Sequence, residues 1–416
     1  MENLMQRYVQ YIFTLLIVAC IAACGGGSTT AATVTYKLPT TFASIPTTAP
    51  YLMGGAVQGS AIPTKTSYSA ATFTGTAGKD GVGFTNYSGN SSVTATFNQP
   101  NDITTDGTDF YVADFGNSII RRIYTDAGVV KTSTLQCVDS DGNAVGFSYP
   151  RGITTDGTYL YVADSGYNCI RVITLAADSA NKHKVVTIGS TTGLAGSVDL
   201  TKTNTKADIR FNLPTGITTD GINVYVTDYN NATVRWIDTS DRDNYAVYTM
   251  AGASGTVGST DSDDPSAARF NLPARITTDG KNLYVTDVLN RTIRQISIAT
   301  GKGKVTTLAG STGEMSTDNG TLDGTGAEAR FHQPNGITTD GINLYVTDSY
   351  LAIIRKVVIS TRVVTTLSLP NGSLLAPIGI TTDGNSLFVA DTYFVSREYK
   401  SYIYTYTYSD SIIRIQ

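Results

Sequence analysis

A closed six-bladed β-propeller is the fold this sequence predicts, and three observations predict it. The pentapeptide Ile-Thr-Thr-Asp-Gly occurs six times, at 103–107, 153–157, 217–221, 276–280, 337–341 and 380–384. Each copy is followed by an apolar segment that ends in Asp, and then by an apolar segment that contains Arg. With 40 Gly, 25 Tyr and only 15% charged residues in 416, the composition suits many short strands joined by tight turns. Repetition of one supersecondary unit marks an architecture in which each unit buries its faces against its neighbours.

In chain order, an uncharged stretch over 11–23 comes first, preceded by Arg7. It is shorter than the ~20 apolar residues that span a bilayer, but it suits the core of an export signal. The stretch closes on Ile21-Ala22-Ala23-Cys24 and is followed by three glycines. This run resembles a bacterial lipobox, which implies that residues 1–23 are a lipoprotein signal peptide and that Cys24 carries lipid. Cys20 is a competing match, placed before the apolar run has ended. Glycine after the lipidated cysteine resembles the outer-membrane sorting class. Residues 24–66 are rich in Gly, Ser, Thr and Pro and read as a flexible tether.

The repeats fill 67–416. A proline stands three residues before each repeat Ile, at Pro100, Pro150, Pro214, Pro273, Pro334 and Pro377. There it can open a strand at a position that needs no ladder donor. The Asp-Gly pair turns the chain into a second strand, such as Leu283-Tyr-Val-Thr-Asp287. That strand is apolar at consecutive positions, as expected of a strand covered on both faces. A third strand carries Arg121, Arg171, Arg235, Arg294, Arg355 and, in the last unit, Arg414. A fourth, rich in Thr and Val, follows in most copies, as at 305–310. Four strands per unit, repeated radially, make a propeller.

The pattern Pro-x-Gly-Ile, then Leu-Tyr-Val-x-Asp, then Ile-Arg resembles the NHL repeat over about 73–416. Asp102 and Arg275 stand where that pattern has Gly, so local turn differences are expected there. The last unit stops after its third strand, while an orphan segment at 71–78 resembles a fourth strand. We expect the N-terminal strand to complete the C-terminal blade and hide both edges.

Candidate sites divide into repeated and singular ones. Asp and Arg lie seven residues apart at Asp114–Arg121, Asp164–Arg171, Asp228–Arg235, Asp287–Arg294 and Asp348–Arg355. A pair present in nearly every unit reads as architecture, a buried ion pair holding the hairpin mouth. Phe97, Phe147, Phe211, Phe270 and Phe331 close the inter-unit loops and read as apolar anchors. The singular feature is an insertion between Asp391 and Arg414. It holds Tyr393, Phe394, Tyr399, Tyr402, Tyr404, Tyr406 and Tyr408, and the last four alternate. This is the candidate binding element, a projecting hairpin that meets a protein or glycan through aromatic rings; a hairpin packed across the ring is the bland alternative. The insertion and the long loops should emerge on one face. Asp139-Ser-Asp141-Gly-Asn143 and the loop from Asp318 to Asp323 place oxygen donors as Ca²⁺ would need, but neither continues to a bidentate Glu, and Asx turns share the pattern. Cys137 and Cys169 are open to two readings, a disulfide between adjacent blades or two separate thiols.

Function is bounded mainly by exclusion. With only His183 and His332, the chain lacks the imidazoles of three-His zinc sites and His-based triads. A net charge of −4 opposes nucleic-acid binding. The expected function is therefore a non-catalytic cell-envelope scaffold, without a catalytic centre or cofactor. It would be a monomer, touching the membrane through its N-terminal lipid alone and binding a protein or glycan. The alternative is a propeller hydrolase or lyase, lactonase-like, with an axial metal.

Overall fold

The computed structural model describes residues 67–76, 95–190, 192–199, 208–242, 244–298, 303–312, 323–400 and 403–416, with the backbone alone over 75–76, 393–400 and 403–409. All of them belong to the compact unit Thr40–Gln416. The signal peptide, Cys24 and the tether expected over 24–66 lie outside the described residues.

Six antiparallel sheets form a six-bladed propeller. The inner strands are Pro100–Thr105, Pro150–Thr155, Pro214–Thr219, Pro273–Thr278, Pro334–Thr339 and Pro377–Thr382. Each touches the next, and the last touches the first. In the fourth blade, Pro273–Thr278, Asn282–Asp287, Thr292–Ser297 and Val305–Gly310 pair in sequence order, each antiparallel to its neighbour. In the sixth, Ala70–Thr76 from the other end of the chain lies against Ile403–Ile415, with Ala70 opposite Ile415 and Thr76 opposite Asp410. The second and fifth sheets carry a short fifth strand, Gln136–Val138 and Gly324–Thr325 respectively.

The repeated pentapeptide is a self-contained turn. In the first blade, Thr105 Oγ1 donates to Asp109 O (2.8 Å) and accepts from Gly107 N (3.0 Å). Asp106 Oδ1 accepts the amides of Thr108 and Asp109, and Oδ2 accepts the Tyr111 hydroxyl at 2.9 Å. Gly107 turns with φ 90°, a conformation that costs glycine little and other residues much. The Tyr–Asp bond recurs at Tyr161–Asp156, Tyr225–Asp220, Tyr284–Asp279 and Tyr345–Asp340. In the sixth blade Phe388 replaces that tyrosine and packs between Phe73 of the N-terminal strand and Phe110 of the first blade. An apolar ring there seals the seam where the two ends of the chain meet.

Four of the six blades are bonded to the next by a second-strand threonine. Thr227 Oγ1 donates to Ala274 O (2.8 Å), Thr286 to Asn335 O (2.7 Å), Thr347 to Ile378 O (2.8 Å) and Thr392 to Pro100 O (3.2 Å). The residues flanking these threonines, such as Val226, Val285 and Val346, are fully buried. A strand covered by a neighbouring blade on either side has no solvent face, which explains its unbroken apolar run.

The Asp–Arg pairs are structural. Asp287 and Arg294 meet at 2.9 Å with both side chains fully buried. Arg294 also donates to Arg269 O and lies 5.0 Å from the Phe270 ring centre, while Asp287 accepts Asn271 N. One pair thus ties the second strand, the third strand and the incoming loop together. Asp114–Arg121, Asp164–Arg171 and Asp228–Arg235 repeat it at 3.3, 2.9 and 2.8 Å. In the fifth blade Arg355 instead pairs with Asp323 at 3.0 Å, and Asp348 caps the amides of His332 and Gln333. The sixth blade corrects the sequence alignment by one residue. Val285 opposes Arg294, but Val389 opposes Ile413, and Arg414 opposes Phe388. Ile413 therefore occupies the arginine's place, and Arg414 donates to Ser386 Oγ at 3.1 Å.

Replacing one member of a buried pair leaves an uncompensated charge. Arg294→Met is expected to lower unfolding free energy by about 3–5 kcal/mol. Arg414→Met, which removes one hydrogen bond, should cost about 1 kcal/mol. Chemical denaturation of the two variants side by side checks both values, and equal losses would contradict the shifted register.

Candidate functional site

Strand pairing decides which features share a face. In every blade the proline opening the inner strand opposes the aspartate ending the second, as in Pro100 with Asp114 and Pro377 with Asp391. The inter-blade loops, the starts of the inner strands and the second-to-third-strand turns therefore lie together. On this face the sixth blade departs from the rest. Its second and third strands, Leu387–Lys400 and Ile403–Ile415, run 14 and 13 residues, against 6 and 6 in the fourth blade. Their backbones stay paired past the blade, with Phe394 opposite Tyr408, Arg397 opposite Tyr406 and Tyr399 opposite Tyr404, and an irregularity between Phe394 and Ser396. The side chains of Tyr393, Phe394, Tyr399, Tyr404, Tyr406 and Tyr408, and all of Tyr402, lie outside the described residues. Exposed apolar groups gather on the same face: Tyr149, Tyr167, Leu194, Val257, Leu289 and Leu375 all stand in its turns and loops. Beside them His332 stacks on Tyr350 with ring centres 3.8 Å apart.

At the centre of this face the inner strands nearly touch. A Cβ built on Gly336 would lie 2.1 Å from Ile378 O, and one on Gly152 would lie 2.3 Å from Thr215 O. Four blades answer this crowding with glycine; the first and fourth carry Asp102 and Arg275 instead. Arg275 crosses the axis. Its Nη1 donates to Thr215 O (3.0 Å), its Nη2 to Asn101 O (3.1 Å) and Asn101 Oδ1, and its Nε lies 3.7 Å from Asp102 Oδ2. Asp102 in turn accepts the amides of Ile103 (3.0 Å) and Ile153 (3.2 Å). Arg275 does not alter its own turn, because Pro273 and Ile276 keep the register irregularity seen at Pro214 and Ile217. Behind the pair lies a cavity of about 20 Å³, lined by the six repeat isoleucines and threonines among them, with room for about one water.

Two further singular residues flank this mouth. Arg151 stands beside Gly152 at the start of the second blade, with its guanidinium 4.8 Å from the centre of the Phe115 ring. Tyr229 comes from the turn Tyr229–Asn231 of the third blade. Burial pushes the Asp102 carboxyl up to about 6, against the opposing pull of Arg275. Burial, then the charge of Arg275, pushes Arg151 down to about 10. Burial raises Tyr229, and both arginines oppose the rise. Sequence reasoning marked Asp102 and Arg275 only as departures from a repeat and passed over Arg151 and Tyr229. The available signal was singularity, a charged or aromatic residue at a repeat position where the other blades differ.

At the root of the long hairpin sit carboxylates without an arginine. Asp391 accepts the amides of Leu375 and Ala376, and Asp410 Oδ2 accepts Gln99 N at 3.0 Å. Asp410 Oδ1 is buried with no partner among the described residues. Burial pushes Asp391 up to about 6. Burial and the charges of Asp114 and Asp391 push Asp410 up to about 7, although the Gln99 amide opposes this.

The remaining candidates resolve as follows. Cys137 and Cys169 are both buried and both free, which corrects the disulfide reading. Cys137 is not at the end of the first blade's outer strand. It lies in Gln136–Val138, on the edge of the second blade, opposite His183, whereas Cys169 opposes Gly189. The strand Lys182–Gly189 runs between them, and the six-residue offset along it amounts to roughly 20 Å, far beyond disulfide reach. Burial pushes both thiols up to about 12. Asp139 closes its own turn, with Oδ1 accepting the amides of Asp141 and Asn143. Asp323 is taken by Arg355 and by the Thr366 hydroxyl, while 318–322 lie outside the described residues. Among the described residues no three His, Cys, Asp or Glu side chains converge to hold a metal ion, and no helix is long and apolar enough to cross a membrane.

No protein-family model and no curated protein sequence matches the chain. Solved structures do. A protein of unknown function from Bacteroides thetaiotaomicron is similar with TM-score 0.54 at 19% identity, over 83% of this chain and 75% of that one. Two proteins described as auxiliary nutrient binding proteins, from Bacteroides thetaiotaomicron and Bacteroides ovatus, give TM-scores of 0.55 and 0.53 at 15% and 13% identity. They cover 83% and 84% of this chain and 76% of their own chains. At such identities the likeness is one of fold.

The raised carboxyls at the hairpin root set a pH dependence. A carboxyl whose pKa is higher folded than unfolded stabilises the fold while protonated, and that contribution is lost as pH rises through the folded value. Thermal stability should therefore fall from about pH 4, where these carboxyls ionise in the unfolded chain, to about pH 7, where Asp391 and Asp410 have ionised in the folded one, and level off above. Asp410→Asn should raise stability at pH 8 by roughly 1–3 kcal/mol and flatten the profile. Unfolding curves across that range decide it, and a parallel profile for the variant would rule Asp410 out as a source.

Proposed function

We propose that this chain is a non-catalytic binding scaffold of the bacterial cell envelope, an NHL-type propeller tethered by lipid on Cys24 and presenting one face to a protein or glycan. The observation that carries the reading is the sixth blade. It alone extends its second and third strands beyond the ring, by a segment in which seven of the residues from Tyr393 to Tyr408 are aromatic. Aromatic rings supply large contact area at low entropic cost, which suits recognition of either partner class. Support comes from the exposed apolar side chains that stand in the turns and loops of the same face. The Bacteroides propellers described as nutrient binding proteins share the fold and are in keeping with a binding role. The lipobox-like run ending in Cys24 supports export and an outer-membrane anchor.

Two experiments test this. Replacing 393–409 by a short turn should abolish capture of envelope proteins or polysaccharide, with unfolding unchanged; undiminished capture would move the site off the hairpin. Metabolic labelling with palmitate should mark the full chain and its Cys20→Ser variant but not Cys24→Ser, and label surviving in Cys24→Ser would refute the anchor.

A further inference from the structure

The axial mouth contains a cation that the fold does not need. Arg275 is engaged: both Nη atoms donate to other blades, at Thr215 and Asn101, and the guanidinium pairs with Asp102. Arg151 is different. Its guanidinium makes no hydrogen bond or ion pair among the described residues; Nε is buried, the side chain as a whole is only half-buried, and it rests on the face of Phe115. The five other blades place Asn101, Thr215, Ala274, Asn335 or Ile378 at the same position, so the blade itself does not require a guanidinium. An unpaired charge partly shielded from water is costly, and a second cation beside it raises that cost. Formally, Asp102, Arg275 and Arg151 sum to one positive charge at the centre of a chain whose net charge is −4. The Tyr229 ring is near enough to feel both guanidinium charges, and its hydroxyl makes no hydrogen bond among the described residues.

We propose that this mouth is a binding site for a small oxyanion group, a carboxylate or a phosphate, approaching along the ring axis. The Arg151 guanidinium is the direct partner, and Arg275 contributes its charge. A guanidinium presents a planar fork of N–H donors that matches two oxygens of one carboxylate or phosphate. The cavity behind Arg275, at about 20 Å³, cannot take the ligand, so the anionic group stops at the mouth and the rest of the molecule extends over the aromatic and apolar face. This site is independent of the long hairpin, and the variant lacking 393–409 should retain it.

The test is calorimetric titration of the full chain at constant ionic strength in chloride, with inorganic phosphate, with D-galacturonate and with neutral D-galactose. Saturable binding is expected for at least one of the two anions and not for galactose. Phosphate alone points to a phosphate-bearing ligand, and galacturonate alone to an acidic sugar. Arg151→Gln should weaken the anion by roughly tenfold or more, while Arg151→Lys, which keeps the charge but not the fork, should lose less. Without ligand, Arg151→Gln should unfold at the same temperature as the parent or higher, because it removes an unpaired charge beside a second cation and no hydrogen bond or ion pair among the described residues. The proposal is overturned if neither anion binds above chloride, if Arg151→Gln binds as the parent does, or if that variant is strongly destabilised without ligand, which would make Arg151 structural.

Discussion

Neighbouring inner strands approach so closely around the ring axis that a single Cβ on Gly336 would press within 2.1 Å of Ile378 O. Closing six blades on one axis imposes that distance, and most of the structure follows from it. Glycine stands where four of the six inner strands pass the backbone of the next, and a bulge beside it turns the chain into the blade. Isoleucine from all six copies then fills the axis, leaving a space the size of a water rather than a channel. The threonine bonds between blades are possible only because the strands are this near, as at Thr286 and Asn335.

Further from the axis the constraint changes from crowding to burial. The second strand of each blade is covered on both sides, so the aspartate at its end loses water. The structure compensates with an arginine from the third strand, a loop amide and a phenylalanine face, as at Asp287, Arg294, Asn271 and Phe270. Burial still dominates the electrostatics: Asp287 is pushed up to about 6 even with Arg294 against it. The sixth blade has no such arginine because Ile413 stands in the register of Arg294, and its carboxylates are held by amides alone. That is the blade whose hairpin continues past the ring, so the least compensated charges sit at the root of the longest hairpin.

Singular residues in a repeat are informative because the fold has already stated what it requires at their positions. Four blades show that glycine suffices where Asp102 and Arg275 stand. Those two meet across the axis, and Arg151 and Tyr229 gather beside them from other blades. A polar centre at the mouth, an apolar and aromatic surround and one projecting hairpin all occupy the same face. On the opposite face lie the six near-identical Thr-Asp-Gly turns, each closed by its own threonine and aspartate side chains.

The blade count, the strand order within a blade and the burial of the second strand were legible in the sequence. Each depends on a local or periodic feature: a Thr-Thr-Asp-Gly turn that closes on its own side chains, an unbroken apolar run, a repeat that returns six times. The architectural role of the Asp–Arg pairs was legible for the same reason, because a seven-residue hairpin spacing is local. The meeting of Asp102 with Arg275 was not, since 173 positions separate them and only ring closure brings opposite blades together. Nor was the register of Arg414, because pairing across a long hairpin is set by the whole ladder and one bulge within it. The separation of Cys137 from Cys169 was likewise decided by an intervening strand. Short-range turn chemistry and periodicity act within a blade and can be read from the chain; contacts across the axis and between sheets arise only when six blades share one core.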